Sequence, residues 1–352
     1  GDIESRCIVH KGSFAEIVSL ENIHQAWLEF RRGKRRKPDV QSYERNLEDN
    51  LFRLHFNLKR GIFPETWYEQ FRINDPKPCL ISKAPVECRL LHHAIYRVLY
   101  PLYDRTFIFD SYSCRVGKGT HKAFERITEI ARKVSKNYSG PCWALKFDIR
   151  KFFDSVDHVT LFNLLSSRIS DRKLLHLLDN IIGSFNMNEG KGMPLGNLTS
   201  QLFANVYLDP LDKFVKHHLK AKYYLRYADD MILLSSDPDE LIGYFVEINR
   251  FSKERLKLQI HPHKTTLRKL SWGIDFVGYV ALPHYTLPRR KTVKRATKRT
   301  LAKVKEGPKA VKPTLVSYVG YLCHANAIMV SKNLIDLTVA KVRKNSAWFR
   351  NQ

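Results

Sequence analysis

The chain has 352 residues, and 60 Lys and Arg against 35 Asp and Glu give it a formal net charge of +25. That length can enclose a sizeable core in two or three subdomains, and the charge asks for a polyanionic partner such as nucleic acid. No uninterrupted apolar run approaches the ~18 residues of a membrane-spanning helix and no signal-peptide pattern opens the chain, so no membrane partner is expected.

Residues 1–70 read as a helical N-terminal extension, in which Leu47, Leu51, Leu54 and Leu58 form an apolar stripe at helical spacing. Within it, Arg31-Arg32-Gly33-Lys34-Arg35-Arg36-Lys37-Pro38 is a basic loop between helical stretches, either solvated surface or an RNA-backbone contact. Trp143–Phe147 reads as a buried strand ending at Asp148, followed by Ile149-Arg150-Lys151-Phe152-Phe153-Asp154. Asp154 and Asp157 read as helix caps or ion-pair partners, and helices are expected at Leu174–Ile182 and Glu240–Phe251.

Gly192-Met193-Pro194-Leu195-Gly196-Asn197-Leu198-Thr199-Ser200-Gln201 is a Gly/Pro loop that runs into a helix. Its glycines allow close backbone approach to a ligand, and its Asn, Thr and Ser can cap the helix start. Leu202, Phe203 and Val206 suit the core face of that helix. Next, two apolar runs, Tyr223–Arg226 and Met231–Leu234, flank Tyr227-Ala228-Asp229-Asp230 and read as a β-hairpin. Adjacent carboxylates at its tip repel unless a divalent cation neutralises them. With Asp148 in the same sheet they would complete a carboxylate cluster for two Mg²⁺ about 4 Å apart, one activating a 3′-hydroxyl and one clamping a triphosphate.

From about 283 the chain turns strongly basic, through Arg289-Arg290-Lys291-Thr292-Val293-Lys294-Arg295-Ala296-Thr297-Lys298-Arg299. Such charge suits tracking of a nucleic-acid backbone rather than base readout. Cys7, Cys79, Cys88, Cys114, Cys142 and Cys323 form no Cys-x-x-Cys pair, which argues against a zinc ribbon and for a reducing, cytoplasmic setting. His92-His93 and His261/His263 lack a Cys or Glu to complete a ligand set, and read as helix-face or loop histidines. Gly1 in place of Met points to a processed or tagged start.

Taken in order, Asp148, Gly196–Gln201 and Tyr227–Asp230 resemble motifs A, B and C of the reverse transcriptase palm. Leu256-Lys257-Leu258-Gln259-Ile260-His261-Pro262-His263-Lys264-Thr265 resembles motif D, and Gly273–Tyr279 the primer grip. Lys77-Pro78-Cys79-Leu80-Ile81-Ser82, Glu87–Ile95 and Asp110–His121 resemble the fingers motifs of bacterial enzymes. The resemblance implies an α+β right-hand polymerase fold: an N-terminal helical extension over 1–70, fingers over 71–140, a ferredoxin-like antiparallel palm over 141–282 and a helical basic thumb over 283–352. It leaves no room for the endonuclease or RNase H domains of some relatives.

The resemblance also implies roles. Asp148 and Asp229 would be metal ligands, with Asp230 assisting and the Ile149 carbonyl as a further ligand; Mg²⁺ is the implied cofactor and Mn²⁺ a substitute. Phe153, five positions after Asp148, matches the steric gate against a ribose 2′-hydroxyl, with a core aromatic beside Phe152 as the other reading. Lys264 matches a general acid for the leaving pyrophosphate. Arg115 and Lys118 would bind the triphosphate, and Arg89 would support the fingers. Leu195, Gly196 and Gln201 would line the incoming nucleotide. Gly278, Tyr279, Arg289, Arg290, Lys291, Lys294, Arg295, Lys298 and Arg299 would contact primer–template.

The pattern Leu195-Gly196 with Ser200-Gln201, together with Arg115–His121, resembles reverse transcriptases of diversity-generating retroelements. Those copy a template-repeat RNA with frequent errors opposite adenine. The implied partners are template RNA, an RNA/DNA primer–template, dNTPs and a small basic accessory protein, in a bacterial or phage-encoded cytoplasmic setting. Two departures stand out: Cys79 occupies a position where many relatives place Arg, and the tetrapeptide with Ala228 recurs in group II intron and phage-defence enzymes. An antiviral reverse transcriptase working with a noncoding RNA, a free-standing intron-type relative and a non-catalytic maturase-like RNA-binding protein are the alternatives.

Overall fold

The computed structural model describes residues 13–73, 79–185 and 189–350, so Cys7, Lys77 and Pro78 lie outside the described residues. The chain divides into two compact units. One gathers the residues up to Cys114 with Asp148–Ala221 and Phe245–Pro262; the other gathers Arg115–Phe147, Lys222–Tyr244 and the residues from His263 onward.

In the first unit the helix Leu20–Phe30 starts at Ser19, whose hydroxyl accepts from the Asn22 amide. It packs on the helix Val86–Asp104, burying Ile23, Trp27 and Phe30 on one side and Leu90, Leu91 and Ile95 on the other. Each large apolar side chain so buried contributes about 1.5–3 kcal/mol. Asn22 crosslinks the pair, its amide donating to the Ala94 carbonyl at 3.1 Å. The expected leucine stripe lies on the helix Leu47–Lys59, with Leu51, Leu54 and Leu58 buried. A hairpin of β1 (Glu69–Ile73) and β2 (Cys79–Lys83) sets Glu69 opposite Lys83.

The second unit is built on a sheet of β3 (Trp143–Asp148), β4 (Tyr224–Tyr227), β5 (Asp230–Ser235) and β6 (Thr266–Lys269), in the order β4-β5-β3-β6. β4 pairs antiparallel with β5, and β3 with β6. With helices between β3 and β4 and between β5 and β6 along the chain, this is the strand order of a ferredoxin-like βαββαβ unit, the first strand beside the third. Met231–Leu234 are all buried, as in a strand covered on both faces. A second antiparallel sheet joins β7 (Ile274–Phe276), β8 (Tyr279–Leu282) and β9 (Tyr285–Pro288). The helices Arg290–Lys303, Pro308–Leu322 and Ile328–Arg350 close around Ala296, Leu322, Ala327 and Leu334. The expected strand, hairpin and helices at Leu174–Ile182 and Glu240–Phe251 are therefore present, the last two as Arg172–Gly183 and Pro238–Leu256.

Two expectations about caps part company. Asp157 does cap the helix His158–Ser166, accepting from the Thr160 amide at 2.9 Å, and it pairs with Lys257 at 2.9 Å. Asn197 holds the cap position of the helix Leu198–Lys213 without making a side-chain cap bond. Its amide instead reaches the Tyr68 hydroxyl at 3.5 Å, and the next candidate, Thr199, meets His92 Nδ1 at 2.8 Å. Tertiary partners have outcompeted the local cap.

His92 is buried, and burial with His93 beside it pushes its pKa down to about 3. The fold therefore favours neutral imidazole, while the unfolded chain binds a proton below about 6.5. Stability from this residue is complete above pH 6.5 and falls as pH drops through the interval toward 3; at pH 5 the loss is about 2 kcal/mol. Thermal unfolding from pH 7.5 to 5 should show it, and His92→Asn, whose amide occupies the Nδ1 position, should flatten the decline. An equally steep decline in that variant would place the acid sensitivity elsewhere.

Candidate active site

In the second unit the acidic tip is held by contacts from its own hairpin and from neighbouring segments. Arg226 is 0 % exposed in β4, and its Nη1 donates to the Ala228 carbonyl at 3.1 Å. Ala228 sits at φ +53°, a left-handed conformation that side chains other than glycine adopt reluctantly. A buried guanidinium is costly unless bonded, and here it fastens the strained turn that presents Asp229 and Asp230. Lys146, on the neighbouring strand β3, approaches Asp230 at 3.6 Å and lies over the Phe276 ring. Tyr227 meets the Thr120 hydroxyl at 3.1 Å, which ties the segment carrying Arg115 and Lys118 to the hairpin. Neither Arg226 nor Lys146 was singled out from the sequence; their signal was a single cation inside an apolar strand.

In the first unit, backbone bonds tie the segment that starts at Asp148 to Gln259–His261 and to the loop before Gly196. Asp148 is the last residue of β3, and its carbonyl accepts from the His261 amide at 2.8 Å. Ile149 bridges to Ile260, and the Arg150 amide donates to Gln259 at 2.8 Å. The Phe153 carbonyl accepts from Met193 at 2.8 Å, and the Leu195 carbonyl from Ser82 at 3.3 Å. Phe152 is the core aromatic, 2 % exposed against Tyr207, whereas Phe153 is only half-buried. Gly196 has φ +121°, a backbone state that an L side chain would strain, and a Cβ there would already touch Ile81 at 3.4 Å. Lys264, in the second unit, is exposed at the end of a short 3₁₀ turn.

The expected primer grip joins the C-terminal helices, again within the second unit. Arg289 donates its amide to the Gly278 carbonyl at 2.9 Å, and Tyr279 stacks on Tyr321 with ring centroids 4.5 Å apart. Tyr321 also donates to the Gly278 carbonyl, and a Cβ on Gly278 (φ +99°) would lie 2.8 Å from that hydroxyl. Burial pushes both phenols above their ordinary range. Arg289 is committed to Asp275, its Nε donating at 2.8 Å. The helix Arg290–Lys303 buries Thr292, Ala296 and Thr300 and exposes Arg290, Lys291, Lys294, Lys298 and Arg299.

The donors offered by Asp148, Asp229 and Asp230 are carboxylate oxygens, the chemistry that suits Mg²⁺. Among the described residues no three His, Cys, Asp or Glu side chains are gathered as a metal-holding group. The acids thus fit the ion in donor type, with Asp230 engaged by Lys146. Cys88, Cys114, Cys142 and Cys323 are free thiols. No helix among the described residues is long and apolar enough to cross a membrane.

Residues 74–281 match the family model described as reverse transcriptase (RNA-dependent DNA polymerase). The chain belongs to the reverse transcriptase family, and its α+β architecture with antiparallel sheets is the class expected for that family's right-hand polymerases. The group II intron-encoded protein LtrA of Lactococcus lactis subsp. cremoris is 25 % identical over 329 residues, covering 74 % of this chain and 51 % of LtrA. Protein YkfC of Escherichia coli K12 is 23 % identical over 229 residues, covering 54 % of this chain and 60 % of YkfC. The chain thus spans about half the length of the first of these relatives. Apo telomerase from Candida tropicalis aligns in three dimensions over 63 % of this chain and 54 % of its own, at 15 % identity and a TM-score of 0.47.

Proposed function

We propose that this chain is the polymerase portion of an RNA-directed DNA polymerase, which copies a noncoding template RNA into cDNA by nucleotidyl transfer. The observation that carries this is the pair of neighbouring strands in one sheet: β3 ends on Asp148, and β5 begins on Asp230 directly after Asp229. On this reading 1–70 is an extension, 71–140 the fingers, 141–282 the palm and 283–352 the thumb. Asp148 and Asp229 would hold Mg²⁺, assisted by Asp230 and the Ile149 carbonyl; the ion supplies activation of a 3′-hydroxyl and neutralises the leaving pyrophosphate. Phe153 borders the sugar, Arg115 and Lys118 take the triphosphate, and Lys264 delivers the leaving-group proton. Primer extension with dNTPs on an RNA template tests the assignment.

The thumb helix serves the backbone. Arg290, Lys294 and Lys298 recur every fourth residue on its exposed face, so their charges line one stripe. RNA binding should weaken steeply with salt as these cations displace counterions. Changing all three to Gln should lower the slope of log affinity against log salt by about 2–3; Arg289→Gln should change it less, because Asp275 already holds that guanidinium. Equal slopes in wild type and triple variant would remove this helix from the RNA surface.

The finer reading is retroelement diversification, with errors concentrated at template adenines and a small basic accessory protein as partner. It rests on Leu195-Gly196 with Ser200-Gln201. Leu195 is half-buried, and its carbonyl accepts from the Ser82 amide. A Gln amide at this position would add a hydrogen bond to the nascent pair worth about 1 kcal/mol, or several-fold in error rate. Leu195→Gln should therefore lower misincorporation several-fold when cDNA from both proteins is sequenced on one template. Wild-type cDNA as accurate at adenine as at the other bases would reject diversification and favour the defence alternative.

A further inference from the structure

The helix Thr120–Val134 starts without a side-chain cap, because its cap residue is Gly119, at φ +118°. Its first two side chains reach distant partners instead. The Thr120 hydroxyl meets the Tyr227 hydroxyl at 3.1 Å, and His121 Nδ1 meets the Tyr279 hydroxyl at 3.3 Å. All four residues belong to the second unit. Tyr227 pairs with Asp230 across the acidic hairpin, and Tyr279 follows Gly278 in the expected primer grip. One end of one helix thus touches both segments. The helix is anchored along its length by the buried Ala123, Phe124, Ile127, Ile130 and Ala131. Phe124 lies against the Tyr279 ring with centroids 4.9 Å apart. A close-packed helix of this kind passes a displacement at one partner on to the other.

The hydrogen bonds of Tyr279 decide where His121 carries its proton. The fully buried Tyr279 phenol has a single proton, and the Tyr321 carbonyl at 2.9 Å can only accept it. The bond at 3.3 Å is therefore donated by His121 Nδ1. Burial and the neighbouring His324 hold the His121 pKa below its ordinary value, with Glu125 opposing them, so near pH 7 the ring is neutral. His324 stacks on it with centroids 3.5 Å apart and planes 20° apart, which fixes the ring plane while Nδ1 makes its bond. The Tyr321 hydroxyl donates back to the Gly278 carbonyl, so both ends of Tyr321 are tied to the same turn.

We propose that Thr120 and His121 are positioning residues for synthesis, a bracket that fixes the spacing between the hairpin carrying Asp229 and Asp230 and the turn that holds the primer end. The proposal rests on the polymerase reading for what those two segments do. Both residues act through a tyrosine, so their effect falls on the alignment of the reacting atoms, where a displacement of about 1 Å can cost about 100-fold in rate.

The test combines steady-state primer extension on an RNA template with amide hydrogen exchange of the same full-length preparations. Thr120→Val and His121→Phe should each lower kcat about tenfold and leave the KM for dNTP unchanged. His121→Phe keeps a ring on His324 but cannot donate to Tyr279. His121→Asn, whose amide nitrogen can occupy the Nδ1 position, should recover most of the rate, and so should Thr120→Ser. Exchange should quicken over residues 224–235 in Thr120→Val and over residues 274–282 in His121→Phe. Exchange reads the bracket even in a chain that extends no primer, so failure of the polymerase reading and failure of this proposal are distinguishable. Wild-type kcat and exchange in both Thr120→Val and His121→Phe, or a loss confined to KM, would overturn it.

Discussion

Asp229→Asn and Asp148→Asn should each abolish primer extension, by at least about 10³-fold, equivalent to about 4 kcal/mol of transition-state stabilisation. An amide keeps the shape of the carboxylate while removing its charge, so the loss would be chemical rather than structural. The fold should tolerate both changes, since the turn is fastened by Arg226 through the Ala228 carbonyl and Asp148 bonds His261 through its backbone. Asp230→Asn should cost less, because Lys146 already engages that carboxylate. Full activity in a well-folded Asp229→Asn protein would remove the assignment of this acid. Melting temperature measured on the same preparations separates loss of chemistry from loss of fold.

Phe153→Val should increase ribonucleotide incorporation by about 10- to 200-fold relative to dNTP use, the range in which a pocket discriminates by shape alone. The ring is only half-buried, while its neighbour Phe152 carries the packing against Tyr207. Backbone placement is independent of the side chain, because the Phe153 carbonyl is bonded by Met193. Removing ring volume should therefore open space without unfolding the loop. Competition between labelled rNTPs and dNTPs reads the effect directly. Unchanged discrimination with an intact fold would leave Phe153 a packing residue.

Much of this architecture could be read from local pattern. The apolar run Trp143–Phe147 and the aromatic and aliphatic flanks of Asp229 and Asp230 gave strands, because period and residue type act within a few neighbours. The leucines of Leu47–Lys59 gave a helix for the same reason. Features set by distant partners were not legible. Lys146 finds Asp230 across 84 positions and Asn22 finds Ala94 across 72; no periodicity encodes either. Asn197 looked like a cap, yet Tyr68 claimed its amide, and the ion pair of Arg289 with Asp275 had no local signal. Thr120 and His121 find Tyr227 and Tyr279 across 107 and 158 positions, and only packing reveals it.

Arg226 and Lys146 refine the site in the same way. A sequence motif names the acids, but the hydrogen bond that fastens their turn and the ammonium that engages one of them come from adjoining strands. Such supports hold functional side chains within the narrow geometry that chemistry requires.

The most direct measurement is extension of a DNA primer annealed to an RNA template by the purified wild-type chain, with dNTPs and Mg²⁺, followed by omission of the metal with EDTA. The account predicts template-dependent cDNA that disappears in EDTA and in Asp229→Asn. No extension by well-folded protein that binds the primer–template, or extension that persists in EDTA, would contradict it.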